Sequence, residues 1–141
     1  MKISTKTRYG LRMLVYLATQ KDKEPISVKK IAEHEDVSIK YTEQIIRSFM
    51  RKKLLTVVRG SKGGYVIKPE TLKLTAKDIF VLLENEAFLI ECLDEKNCNC
   101  LRKENCSTFE LWNGLENAIF DYLNSFTIED LAKGYLINSL K

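Results

Sequence analysis

Between Ser38 and Tyr65 the chain sets down three things in a fixed order: a polar helix start, a short β-forming run and a glycine-rich basic turn. Ser38-Ile39-Lys40-Tyr41-Thr42-Glu43-Gln44 opens the helix, Leu54-Leu55-Thr56-Val57-Val58 follows, and Arg59-Gly60-Ser61-Lys62-Gly63-Gly64-Tyr65 turns the chain back. Few folds accept that order. Glycine supplies the backbone angles a tight hairpin turn needs and leaves room for close approach of another backbone. Tyr65, Val66 and Ile67 then match Thr56, Val57 and Val58 as a second strand.

The segments on either side complete the motif. Tyr9, Met13, Tyr16 and Leu17 recur at helical spacing and predict a helix over Lys6 to Gln20, ended by the charged turn Lys21 to Pro25. Ser27 caps a short helix from Val28 to Glu35, and His34-Glu35-Asp36-Val37 is read as the turn before Ser38. The helix that Ser38 caps runs to about Lys53, with Ile45, Ile46, Phe49 and Met50 inward. Two helices around a short turn, followed by a hairpin, make a winged helix-turn-helix. The fold class is therefore mainly α with a small β-hairpin wing. Residues 1–70 form the DNA-binding unit, closed by Pro69, and 71–141 a second region of sensor loop and helices.

Such a module enters DNA with the start of its second helix. Gln44 suits adenine, Glu43 the cytosine amino group, and Thr42 or Tyr41 a phosphate or a thymine methyl. Lys40 and Arg47 are placed for backbone phosphates, and Ser38, at the helix start, is counted among the DNA contacts. On the wing, Arg59 and Lys62 suit a narrow minor groove of high negative potential, and Gly60 and Ser61 of the same turn are counted among the DNA contacts. Charge agrees with that division: residues 1–70 hold sixteen Lys or Arg against seven Asp or Glu, net +9, and residues 71–141 are net −5. An enzyme is not expected, because one histidine and no phosphate loop leave no pairing of nucleophile and base. Met13 to Ala18, the longest apolar run, is far too short for a membrane span, and the first residues lack a secretion signal, so a cytoplasmic protein is expected.

The second region divides into a cap, a loop and a long helix. Thr75 and Asp78 form a capping box for a helix to about Glu84. Glu86 to Asn105 has no period. From Thr108 to Phe126, Leu111, Trp112, Leu115, Ala118, Ile119, Tyr122 and Leu123 draw an apolar stripe, and Thr127 to Asp130 cap a last helix to about Asn138. That stripe packs on its own domain or serves as a dimer seam, and a homodimer is expected, since DNA-reading helices of this size act in pairs.

All four cysteines, Cys92, Cys98, Cys100 and Cys106, fall within fifteen positions of the loop. A disulfide scaffold would spread them through the fold, so clustering points to metal, cofactor or redox chemistry. Soft thiolates suit iron–sulfur clusters or zinc, and Lys96, Arg102 and Lys103 would lower the thiol pKa values. A thiol switch forming disulfides and a zinc-stabilised interaction module remain alternatives, although the lack of a CxxC pair weakens zinc.

Arg8-Tyr9-Gly10-Leu11-Arg12, Ser38-x-x-Tyr41-x-Glu43-Gln44 and Arg59-Gly60-x-x-Gly63-Gly64-Tyr65 resemble the IscR/NsrR/CymR family of bacterial winged-helix regulators. The likeness continues through Cys106 to Trp112 and Phe126 to Leu131, and so covers nearly the whole chain. It implies a homodimer with crossing C-terminal helices on a roughly palindromic double-stranded operator. It also implies an iron–sulfur cluster on Cys92, Cys100 and Cys106, with 2Fe–2S placed ahead of 4Fe–4S. Where several relatives carry a further histidine ligand this chain has Phe109. Cys98 is then the first candidate for the fourth ligand, ahead of Glu91, Glu104 or a partner group. Members without a cluster imply the competing control, by thiol oxidation or a partner protein.

Overall fold

The computed structural model describes residues 3–20, 24–84, 88, 90–94 and 98–139, the last helix by backbone only beyond Gly134. Helix α1 (Thr5–Ala18) starts on Ser4, whose hydroxyl accepts from the Thr7 N–H, and Ser27 and Ser38 cap α2 (Val28–Glu35) and α3 (Ile39–Arg51) in the same way. His34 and Glu35 thus belong to the helix, and the turn is shorter than the sequence suggested. Asp36 reverses the chain in the left-handed conformation (φ 53°, ψ 49°), where its N–H and that of Val37 close on the end of α2.

The wing pairs β1 (Leu55–Val58) with β2 (Gly64–Ile67), antiparallel, in the register Leu55 to Ile67 and Val58 to Gly64. Ile26 adds a third rung. Its N–H donates to the Tyr65 carbonyl at 3.0 Å, and the Tyr65 N–H returns at 2.9 Å. A Cβ on Gly64 would overlap the backbone of Ile26, so this contact requires glycine. At Pro69 the chain enters a one-turn helix, α4 (Pro69–Leu72), where Thr71 donates to the Leu54 carbonyl at 2.7 Å and pins the hairpin's exit to its entry.

Helix α5 (Ala76–Leu83) begins on the reciprocal Thr75–Asp78 box, and Thr127 and Asp130 repeat that pattern ahead of α7 (Ile128–Ser139). The two caps lie side by side: Ala76 donates to Phe126 at 2.8 Å and Ile128 to Leu74 at 2.9 Å. This clasp returns α7 to α1. One apolar cluster then joins Met13, Leu14, Ile31, Ile45, Phe49 and Leu55 to Ile79, Leu83 and Ile128, so the core of the first 70 residues is completed from beyond them. Gly10 marks a close crossing, where a Cβ would meet the Leu83 side chain at 2.5 Å and Phe49 at 3.3 Å. Helix α6 (Phe109–Asn124) touches α5 through Phe80 and Phe120, whose ring centroids lie 6.1 Å apart, yet none of its residues is buried.

Candidate nucleic-acid interface and cysteine segment

A helix that packs on one face must show the other to solvent, and α3 divides cleanly. Thr42, Ile45, Ile46, Ser48 and Phe49 are buried. Lys40, Gln44, Arg47 and Arg51 are exposed and Glu43 is half-buried, at spacings that place all five on the opposite face. Thr42 therefore leaves the set of candidate DNA contacts. It is fully buried, and its hydroxyl donates back to the Ser38 carbonyl at 3.1 Å. Ser38 uses its own hydroxyl to cap the Tyr41 N–H at 3.1 Å. Tyr41 is half-buried and edge-on to Tyr9 at 6.1 Å. Burial, with Tyr9 beside it, pushes its hydroxyl up, so it is a neutral donor at any physiological pH. Glu43 stands 3.7 Å from Arg47, a loose exposed pair that a nucleic acid would displace readily.

Arg59, Gly60, Ser61 and Lys62 form the exposed tip of the wing. The Gly63 N–H donates to the Gly60 carbonyl at 3.0 Å, and Gly60 takes φ 119°, a conformation that side chains disfavour. The sequence reading omitted Arg51, whose guanidinium is oriented by the Ser48 hydroxyl at 3.3 Å. Its spacing of eleven from Lys40 (three helical turns) was the available signal.

His34 is exposed at the end of α2 and belongs to a built cluster. Its ring stacks on Tyr16 at 3.7 Å, and Nδ1 lies 2.9 Å from Oε1 of Glu35. Glu35 is buried, and its other oxygen meets Arg12 Nε at 2.6 Å. This ion pair ties α1 to the end of α2, directly beneath the turn that aims α3.

The cysteine segment starts eight residues after Glu84 and ends just before α6. Cys92 lies in a short 3₁₀ turn (Glu91–Leu93), and the Cys98 N–H donates to Asp94 at 3.1 Å. Cys100 is exposed; Cys106 follows a second 3₁₀ turn (Lys103–Asn105). All four are free thiols. The Cys106 thiol is held below its ordinary range, first by the Thr108 hydroxyl at 3.5 Å and then by the Thr108 and Phe109 N–H groups, with Arg102 last. Hydrogen bonding thus outweighs the cationic neighbours invoked from sequence. Lys103 extends over the Phe109 ring, and Lys96 lies outside the described residues. The donor chemistry fits a thiolate-held iron centre, while the donors are not gathered. Among the described residues no three His, Cys, Asp or Glu side chains are placed to hold one ion.

Glu84 ends α5 and accepts the Ser4 N–H at 3.0 Å, so the root of the cysteine segment holds the first turn of α1. Burial alone would raise its carboxyl, but hydrogen bonds from Thr7 and Ser4, with Lys6 nearby, bring it below the ordinary carboxylate range. A depressed carboxyl stabilises the fold when ionised. The contribution is complete above about pH 4.5 and is lost as pH falls through the folded value. Glu84→Gln should therefore be less stable than the parent at neutral pH, with the gap closing in acid; urea midpoints across that range measure it.

The exposed stripe on α3, the short turn before it and the glycine-turned wing define a winged helix-turn-helix protein of the DNA-binding class. The Rrf2 family profile, described as that of iron-dependent transcriptional regulators, matches residues 3–134, and the chain belongs to that family. It is a DNA-binding transcription regulator and not an enzyme. The regulator CymR of Bacillus subtilis is 37% identical over 132 residues, which are 94% of this chain and 90% of that protein. The solved structure of CymR, titled the global cysteine regulator of B. subtilis, matches at a TM-score of 0.76, 35% identity, and 94% and 97% of the two chains. The T. potens IscR structure matches at 0.76 and 29%, over 96% of this chain and 88% of that one. Among the described residues no helix is long and apolar enough to cross a membrane.

Proposed function

We propose that this regulator binds a roughly palindromic operator as a homodimer and is switched by its cysteine segment. The carrying observation is the division of α3, with Lys40, Glu43, Gln44 and Arg47 opposite a face that is wholly core. Glu43 and Gln44 read base edges. Ser38, Lys40, Tyr41 and Arg47 hold phosphates, and Arg59 to Lys62 enter the minor groove. The dimer reading rests on α6, whose outer Leu111, Leu115 and Tyr122 are exposed beside an apolar cleft of about 420 Å³ lined by Ile3, Phe80 and Ile119.

Cys92, Cys100 and Cys106, with Cys98 as the fourth ligand, would hold an iron–sulfur cluster once the segment brings them together. Bound there, the cluster would supply an iron- and redox-sensitive cross-link within the segment. The segment has two mechanical outlets. Glu84 at one end holds α1, and α6 at the other carries the dimer seam, so ordering the segment would change the spacing of the two α3 helices. Alanine at Cys100 or Cys106 should abolish visible absorbance after anaerobic reconstitution, together with the cluster-dependent change in operator affinity. Retention of both would overturn the reading.

A second reading has its own support. The Cys106 thiol is depressed and half-exposed, and three other free thiols share its segment, which suits oxidation to a disulfide by a cellular oxidant without iron. Protein isolated without oxygen separates the two: brown, with stoichiometric iron and sulfide, or colourless, with an affinity that follows thiol titration.

A further inference from the structure

A cavity of about 340 Å³ lies between the first turn of α1 and the flank of α3, lined by Lys6, Tyr41, Gln44, Arg47, Ser48 and Arg51. Ile45 completes the lining, and three of the seven side chains are cations. The acids near them are limited: Glu43 stands 3.7 Å from Arg47, and Glu84, already hydrogen-bonded by Ser4, lies within electrostatic reach of Lys6. Arg51 is oriented by Ser48, and Tyr41 keeps its hydroxyl proton. Cations from two elements thus line one cavity.

Its position selects the anion. Arg51 lies seven residues beyond Gln44, about 10 Å along the helix at 1.5 Å per residue. A major groove is about 12 Å wide, so a helix with Gln44 at the base edges carries Arg51 to the bounding strand. We propose that Lys6 and Arg51, with Arg47, clamp a DNA backbone phosphate at the edge of the groove entered by α3. The proposal rests on the DNA-binding reading above and adds two residues and a second element to it. It also places a phosphate contact on the turn of α1 that Glu84 holds, at the root of the cysteine segment.

Each phosphate neutralised by the protein steepens the fall of log affinity with log salt by about 0.9. Binding to an arbitrary-sequence duplex of about three helical turns, followed through a salt series, reads that slope directly. The double variant Lys6→Ala with Arg51→Gln should flatten it by about 0.9 for each bound copy, either single change by part of that, and Arg51→Lys should restore most of the Arg51 share. Lys133→Ala, at an exposed cation on α7 that pairs with Glu129 and does not line the cavity, should leave the slope unchanged. A double variant with the parental circular dichroism spectrum and slope would overturn the clamp while leaving the regulator reading standing. Parent protein without salt-dependent duplex binding would overturn both.

Discussion

Gly64→Ala is expected to cost about 2–6 kcal/mol of folding stability and to weaken DNA binding without altering α3. The new Cβ would fall on the carbonyl carbon and oxygen of Ile26 and crowd the Ser27 nitrogen, backbone atoms that cannot turn away as a side chain can. Relief requires β2 to leave Ile26. That breaks the two Ile26–Tyr65 hydrogen bonds, each worth about 0.5–1.5 kcal/mol net, and the strain of partial accommodation adds about 1–3 kcal/mol. The wing would then swing on its remaining attachment, taking Arg59 and Lys62 with it. Gly60→Ala provides the contrast. Nothing lies within 4 Å of a Cβ there, so only the cost of φ 119° remains, about 1–3 kcal/mol. A urea midpoint for Gly64→Ala no lower than that of Gly60→Ala would contradict the steric account.

Local signals in the sequence located nearly every element. Ser4, Ser27 and Ser38 are N-caps, and of these Ser27 and Ser38 announce their helices from the sequence; the Thr75–Asp78 and Thr127–Asp130 boxes do the same. What stayed hidden was pairwise and long-range. Nothing in either threonine box shows that the two lie against each other, and that contact brings Ile128 into the core of the DNA-binding half. Thr42 looked like a DNA contact because hydroxyls serve either role, and only the phase of the buried stripe turns it inward. The charged pair of Arg12 and Glu35 is separated by 23 positions, and no period links them. At Cys106 the neighbouring cations were visible in the sequence, but the Thr108 hydrogen bonds that dominate depend on the backbone turning at the start of α6.

The apolar stripe of α6 is where a single substitution should have the largest functional effect. Leu111 is 61% exposed, Leu115 46% and Tyr122 67%, although the sequence spaces them as core residues. Buried against a second copy, each such side chain would contribute about 1.5–3 kcal/mol, and two-fold symmetry counts every contact twice. In the proposed dimer Leu115→Glu would put two uncompensated carboxylates into that seam and should leave a folded monomer, because no residue of α6 is buried within one chain. A monomer keeps one half-site. Specific affinities of 10⁻⁸ to 10⁻¹¹ M correspond to roughly 11–15 kcal/mol shared between two halves, so operator binding should weaken by about a thousandfold or more. Asn117→Glu, exposed on the opposite side of the same helix, should change neither mass nor affinity. Light scattering across the concentration range gives the mass, and gel shift with the operator gives the affinity. Leu115→Glu protein that remains dimeric would place the seam elsewhere on the chain, whereas a monomer with undiminished operator affinity would mean that one copy of α3 and its wing suffice.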